Sequence, residues 1–342
     1  MSSLPTTHFI LCTERTGSSL CTLMMNLNSR IISPSEEPFA LFFYKKYKNK
    51  IEWTEKEIRK FIDDFWLISE QKLNLFFVDK EILFTVLSAH RNKLPYQKLC
   101  TLIYLQFFEP KQKNEITVIL DKQIKYFFYL KKLVKIYPES KFIILVRDPR
   151  VNAIRKKHRN LNAGKNYLYL AALWNNTYKN IEYLQSLNKE ILIVKYEDFV
   201  SDPESIMKKC CAFIDVPFHI KMLDTEGVFG NFLEIQKQKI SSQLYEHLKD
   251  FQSGLFQKVH TNKIHVKAHE LDPKENDKIV KLTKPLLEKF NYNTSLISKK
   301  TVFYTLNDRW QITKAYLFRP LLIQLYLHIP LSIKLIIKRI RK

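Results

Sequence analysis

The sequence predicts an α/β fold in which helices cover both faces of a parallel sheet. Short, continuous apolar runs recur along the chain: HFILCT (8–13), EITVIL (115–120), KFIILV (141–146) and EILIVKY (190–196). Runs that are apolar throughout, rather than alternating, belong to strands buried on both faces. Stretches with helical spacing separate them, which is the order that lets successive strands run parallel. With 5 glycines in 342 residues and no low-complexity linker, the chain reads as continuous rather than segmented.

Each element follows in order. The strand HFILCT leads into a helix over 19–27, with Leu20, Leu23, Met24 and Leu27 at i, i+3, i+4 and i+7. Residues 55–75 and 95–108 are apolar along one helical side. The strand 115–120 precedes a helix over 124–137, and the strand 141–146 precedes helices over 150–159 and 165–187. The strand 190–196 precedes a helix over 203–214. In sheets of this kind ligands bind beyond the carboxyl ends of the strands. Two loops therefore become candidate sites: the one after residue 13 and the one after residue 146.

Composition narrows the function. Hydrophobic content of 46% and charged content of 26% are globular values and exclude a disordered chain. Lys and Arg number 56 against 34 Asp and Glu, a formal charge of +22 that favours anionic partners. The 5 cysteines form no C-x-x-C pair and point to a reducing compartment rather than a disulfide framework. The first residues lack the basic-apolar-small order of a signal peptide. The expected location is cytoplasmic, with a peripheral place at the membrane's inner face.

The first loop is Cys12-Thr-Glu-Arg-Thr-Gly-Ser-Ser. Gly17 suits a backbone conformation that other residues resist. Ser18 and Ser19 suit a helix cap. Free N–H groups at a helix start attract anions, and Arg15 adds a forked cation. Together Arg15, Thr16, Gly17, Ser18 and Ser19 read as a cradle for phosphate or sulfate. The loop is not G-x-x-x-x-G-K-[ST], which needs a second glycine and a lysine. In the second loop, VRDPRVNAIRKKHR (146–159), Asp148 and Pro149 read as a cap and first turn. Arg147 stands at the strand end as an anion ligand, and Arg155 follows about two turns on. Lys156, Lys157 and Arg159 read as a solvated basic face.

Two anion sites at two strand ends call for a ligand with two separated anionic groups. RTGSS (15–19) and VRDPR (146–150), in this order, resemble the sulfotransferases that use 3′-phosphoadenylyl sulfate (PAPS), of a carbohydrate-type, bacterial-like kind. DKQIKYFFYLKKLVKIYPESKFIILVRDPR (121–150) and IVKYEDFVSDPESIMKKCCAFIDVPF (193–218) extend the resemblance, which spans roughly residues 8–292. It implies a P-loop NTPase-like three-layer fold, over residues 1–308. It implies that the first loop holds the 5′-phosphosulfate and the second the 3′-phosphate. The chain departs from the family at Arg155, where a phosphate-binding serine is usual; an arginine reaches further.

The resemblance also implies the catalytic set. Sulfuryl transfer depends on positioning and charge stabilisation, as phosphoryl transfer does. Arg15 meets the charge that develops on the leaving oxygen, and Lys122 supplies a second cation from its strand end. In SPSEEPF (33–39) Glu37 matches the family's E-P glutamate and is the expected base, with Glu36 as its neighbouring alternative. Gln123 stands where cytosolic-type members carry a histidine base. His260, His265 and His269 lack a carboxylate signature, and no metal is expected. Tyr196, Glu197 and Asp198 read as structural, as does the cap Asp202-Pro203, and Cys210 and Cys211 as packed beside Phe213.

Residues 309–342 form a basic, apolar tail with 8 Lys or Arg and no Asp or Glu. Pro320 and Pro330 interrupt it, so an interfacial segment on an anionic membrane is expected rather than a spanning helix. The expected partners are PAPS and a hydroxyl-bearing carbohydrate or glycolipid acceptor. Two other classes remain open: a kinase-like phosphotransferase, and a basic membrane or nucleic-acid binder without turnover. No nucleic-acid-binding signature occurs, which weighs against nucleic acid.

Overall fold

The computed structural model describes residues 4–34, 39–75, 78–107, 115–158, 165–238, 240–251, 271–297 and 302–340. Its centre is a five-stranded sheet of β1 (Thr6–Cys12), β2 (Ile31–Ile32), β3 (Val118–Gln123), β4 (Phe142–Val146) and β5 (Ile191–Lys195). The strand order is β2-β3-β1-β4-β5, and every pairing is parallel. β1 lies in the middle, so the loop that follows it emerges between β3 and β4.

The uninterrupted apolar runs have a direct cause. Phe9, Leu11, Phe142, Ile144 and Val146 join one buried cluster, with Phe39, Phe61, Tyr104 and Trp174. Ile10, Cys12, Ile143 and Leu145 join another, with Cys21, Met24, Cys210 and Cys211. Alternate side chains of one strand thus enter opposite cores, as the two-residue period requires. Helices on both faces make the three layers of a P-loop-like fold.

Three of the predicted elements take a different course in the structure. β3 begins at Val118 and runs through Asp121, Lys122 and Gln123, beyond the apolar run at 115–120. Pairing carries it onward, since Asp121, Lys122 and Gln123 lie opposite Phe9, Ile10 and Leu11. There one oxygen of the Asp121 carboxylate, Oδ2, accepts from the hydroxyls of Tyr104, at 2.6 Å, and Tyr126. The helix expected over 124–137 is a 3₁₀ turn, Tyr126–Phe128, followed by an α-helix, Leu130–Ile136. Tyr126, drawn inward onto Asp121, forms part of the turn that takes the place of the helix start. The helix expected over 165–187 divides into Tyr167–Lys179 and Ile181–Ser186. Between them the Asn180 amide donates to the carbonyls of Asn176 and Thr177, a side-chain bond that competes with helical continuation.

Helices beyond those predicted include Phe39–Tyr47, Lys80–Ser88, Val228–Gln236, Ser242–Phe251 and Pro273–Lys289. The caps expected at Asp148 and Asp202 are present: their carboxylates accept from the amides of Arg150 and Ser205 at 2.8 and 3.0 Å, each with proline in the first turn.

Candidate active site

The first loop joins β1 to the helix Ser18–Asn26. Gly17 is the N-cap, at φ 79°, and carries no side-chain capping bond. This corrects the expectation that Ser18 or Ser19 caps the helix: both lie inside it. A serine cap would have occupied one of the first N–H groups; a glycine cap leaves them open at the positive end of the helix dipole. The first intrahelical bond comes only from Cys21, whose amide donates to the Gly17 carbonyl at 3.0 Å.

Glycine is required at position 17 twice over. Its φ lies in the left-handed region, and a Cβ there would stand 2.6 Å from Cδ2 of Tyr196. Arg15 is also left-handed, at φ 66°, an unusual cost for a residue with a Cβ. The loop is held in this shape from behind. Arg147 Nη1 donates to the Arg15 carbonyl at 2.9 Å, and Asn152 Nδ2 to the Glu14 carbonyl at 2.8 Å. In a trans peptide the N–H points opposite to the C=O. The amides of Arg15 and Thr16 are therefore directed away from those two side chains. The Thr16 hydroxyl closes the loop internally on the Thr13 carbonyl at 2.8 Å.

Lys122 pairs with Ile10 across the sheet. Its side chain is buried at 1% exposure, on the same face as Cys21. Burial pushes the Cys21 thiol up to about 12, while the Lys122 charge pulls it down. A cation is thus held beneath the first turn of the helix that Gly17 caps.

The second turn joins β4 to the helix Pro149–Lys157. Arg147 is buried at 3% exposure, and its guanidinium lies over the Tyr196 ring, 4.0 Å from the centroid. Its carbonyl accepts from the Trp174 indole at 2.9 Å. Burial lowers its pKa, Tyr196 and Glu197 counteract, and the neighbouring Arg155 cation lowers it further. Arg147 and Arg155 are thus in electrostatic reach of one another. Glu197 Oε1 accepts from the Asp148 amide at 3.1 Å and Oε2 from the Tyr292 hydroxyl at 2.7 Å. Burial raises the Glu197 pKa, against the bonds from Tyr292 and Asp148 that lower it.

Lys156 is a correction: it is buried at 6% exposure, not on a solvated face. Burial lowers its pKa to about 8, and Glu14 opposes the fall. It lines a cavity of about 80 Å³ with Thr13, Glu14, Lys125, Lys165 and Arg319. Lys157 is half-buried and sits over the Tyr167 ring at 4.0 Å. Arg159, Glu36, Glu37, His260, His265 and His269 lie outside the described residues. Among the described residues no group of three or more His, Cys, Asp or Glu could hold a metal ion.

The structure thus brings the β1 loop and the β4 turn together through one arginine. Asn152, Trp174 and Tyr196 hold that junction, and the sequence alone did not single them out for it. Their signal was present in position only: Asn152 follows the Asp148-Pro149 cap, and Tyr196 follows β5 directly.

A family model described as the sulfotransferase family matches residues 8–219, which contain β1 from His8 onward, the other four strands and both loops. The chain belongs to the sulfotransferase family. Among similar sulfotransferase structures are the sulfotransferase domain from the Synechococcus PCC 7002 olefin synthase and that from the curacin biosynthetic pathway. The first has a TM-score of 0.52 at 16% identity, covering 85% of this chain and 97% of the domain. The second has a TM-score of 0.50 at 20% identity, covering 85% and 99%. These show the shared fold. Protein-tyrosine sulfotransferase 1 of Danio rerio is 29% identical over 123 residues, and protein-tyrosine sulfotransferase A of Caenorhabditis elegans 28% over 120. The chain spans about a third of the length of these curated relatives, 34% and 31%.

Proposed function

We propose that this sulfotransferase-family protein moves the sulfuryl group of PAPS to a hydroxyl acceptor. The observation that carries the reading is the Gly17-capped helix start, open at its amides and tied through Arg15 to the buried Arg147. A bisphosphorylated nucleotide carries two anionic groups, and this chain offers two cationic strand ends beside one another. Arg15 and the amides from Thr16 to Ser19 would hold the 5′-phosphosulfate, and Arg147 with Arg155 the 3′-phosphate. In the transfer, the acceptor oxygen bonds to sulfur as the bond from sulfur to the 5′-phosphate oxygen breaks. The electron pair leaves on that phosphate oxygen, where Arg15 and Lys122 stabilise it. The acceptor proton passes to a base, with Glu37 as the proposed carboxylate.

The sequence favours a carbohydrate or glycolipid hydroxyl. The likeness to two protein-tyrosine sulfotransferases favours a second reading, a tyrosine phenol on a polypeptide. A phenol, with a pKa near 10, demands less of a base than an alcohol does.

Thermal unfolding with 3′-phosphoadenosine 5′-phosphate, ADP and ATP, with and without Mg²⁺, tests the donor. Selective, metal-independent stabilisation by the 3′-phosphorylated nucleotide is expected, since a ligand that binds only the folded state raises the melting temperature. Preference for Mg-ATP would replace the reading with a phosphotransferase. Transfer of labelled sulfate to tyrosine peptides or to glycans then separates the acceptor classes.

A further inference from the structure

The tail residues fold into the helix Leu306–Thr313, a π-helical turn Lys314–Phe318, and the helices Arg319–His328 and Leu331–Ile340. One side of the 314–328 segment is fastened to the body. Ala315 and Ile323 are buried, the Asn175 amide donates to the Tyr316 hydroxyl, and the Gln324 amide donates to the Phe128 carbonyl at 2.7 Å. An ordinary surface helix would turn polar residues outward. This one exposes Leu317, Phe318, Leu321, Leu322 and Leu325, with fractional exposures of 63%, 48%, 54%, 60% and 55%. Spaced at i, i+1, i+4, i+5 and i+8, they form one continuous ridge, which Trp310 extends by its edge contact with Phe318.

Cations flank the ridge on both sides. A groove of about 670 Å³ is lined by Lys165, Lys314 and Arg319 together with Trp310, Phe318 and Leu322. A larger cleft, about 1250 Å³, carries Lys45, Lys48, Lys131 and Lys132, while Lys334 is buried in its wall over the rings of Phe42 and Tyr326. Among the described residues Asp64 is the one carboxylate lining that cleft, and Lys46 and Lys60 are paired with it. No acidic residue occurs in 309–342.

We propose that this face docks the protein on an anionic phospholipid bilayer, the leucine ridge entering the acyl boundary and the flanking lysines meeting headgroup phosphates. Apolar burial and attraction to anionic lipid reinforce one another in such a geometry. Charge argues against a second copy as the occupant: a two-fold contact would set the same basic patch against itself. No helix among the described residues is long and apolar enough to cross a membrane, so the mode is interfacial.

Vesicle co-sedimentation of the full chain tests this, with phosphatidylcholine alone and with added phosphatidylserine. Strong binding to the anionic vesicles, weakened by salt, is expected. The double variant Leu321→Asp/Leu325→Asp should lower that binding at least about tenfold, since two buried leucines are lost and two like charges face the lipid. An unchanged melting temperature of the variant shows that it folds. Absence of binding overturns the proposal. So does anionic binding that the double variant leaves intact, which would mean adsorption by charge alone. Lipid-free dimerisation abolished by the same variant would assign the ridge to a second copy and equally overturn it.

Discussion

The two strand-to-helix turns at the site have the same architecture and opposite finish. After β1, the helix Ser18–Asn26 starts at Gly17 with no side chain over its amides. After β4, the helix Pro149–Lys157 starts at Asp148, whose carboxylate takes the Arg150 amide and is paired with the Arg150 guanidinium. Pro149 removes a further N–H. The first turn leaves its backbone N–H groups uncovered by any capping side chain. The second is closed by its own acid, so any anion there must be met by side chains. The two loops that carry the family resemblance are thus told apart by which residue stands at the cap.

The largest effect should come from closing the open turn. Gly17→Ala places a methyl against Tyr196 and forces an L-residue to positive φ. We expect a loss of about 3 kcal/mol in denaturant unfolding, with nucleotide stabilisation abolished. Adding Tyr196→Ala should recover the steric part and leave the backbone part, separating the two causes.

The next effect sharpens the division of labour. Arg15→Ala should weaken 5′-AMP and 3′-phosphoadenosine 5′-phosphate alike, by about 10- to 100-fold, as expected for a charge-assisted contact. Arg155→Ala should weaken only the 3′-phosphorylated ligand. Calorimetric titration of both ligands against both variants checks this; equal losses for both ligands in Arg155→Ala would erase the distinction between the turns.

Opening the closed turn should matter less. Asp148→Ala removes a cap and should cost about 1 kcal/mol in unfolding, without creating a second backbone anion site. If it instead raised affinity for 5′-AMP, the closed turn would be an autoinhibited cradle and the comparison would fail.

The smallest effect is a pH dependence. The folded pKa of Glu197 is raised by burial. A raised carboxyl pKa means the folded state holds the proton more tightly than the unfolded one. The stability this contributes is full below the ordinary value of 4.5 and declines as pH rises through the folded pKa. Glu197→Gln should flatten that decline in melting temperature measured against pH. An identical slope in wild type and variant would assign it to other groups.

The parallel sheet was legible because two-face burial demands apolar residues at every strand position, and β1 and β4 show that demand plainly. β3 was half legible, since its last three residues are polar and only their pairing with β1 and the tyrosines on Asp121 keeps them in the sheet. Both loops were legible as strand ends carrying arginines. The serine cap was misread because composition favours Ser over Gly, whereas the left-handed φ at Gly17 decides it. Lys156 was misread because a run of basic residues looks the same whether one of them turns inward or all face water.

The sequence by itself determined the fold class, the position of the two loops and the family, since these rest on local periodicity and short motifs. Tertiary structure alone decided that Arg147 braces the Arg15 carbonyl, that Tyr196 stands over both Gly17 and Arg147, and that the tail turns leucines outward. Each of these depends on residues far apart in the chain meeting in space, and no local pattern encodes which pairs will meet.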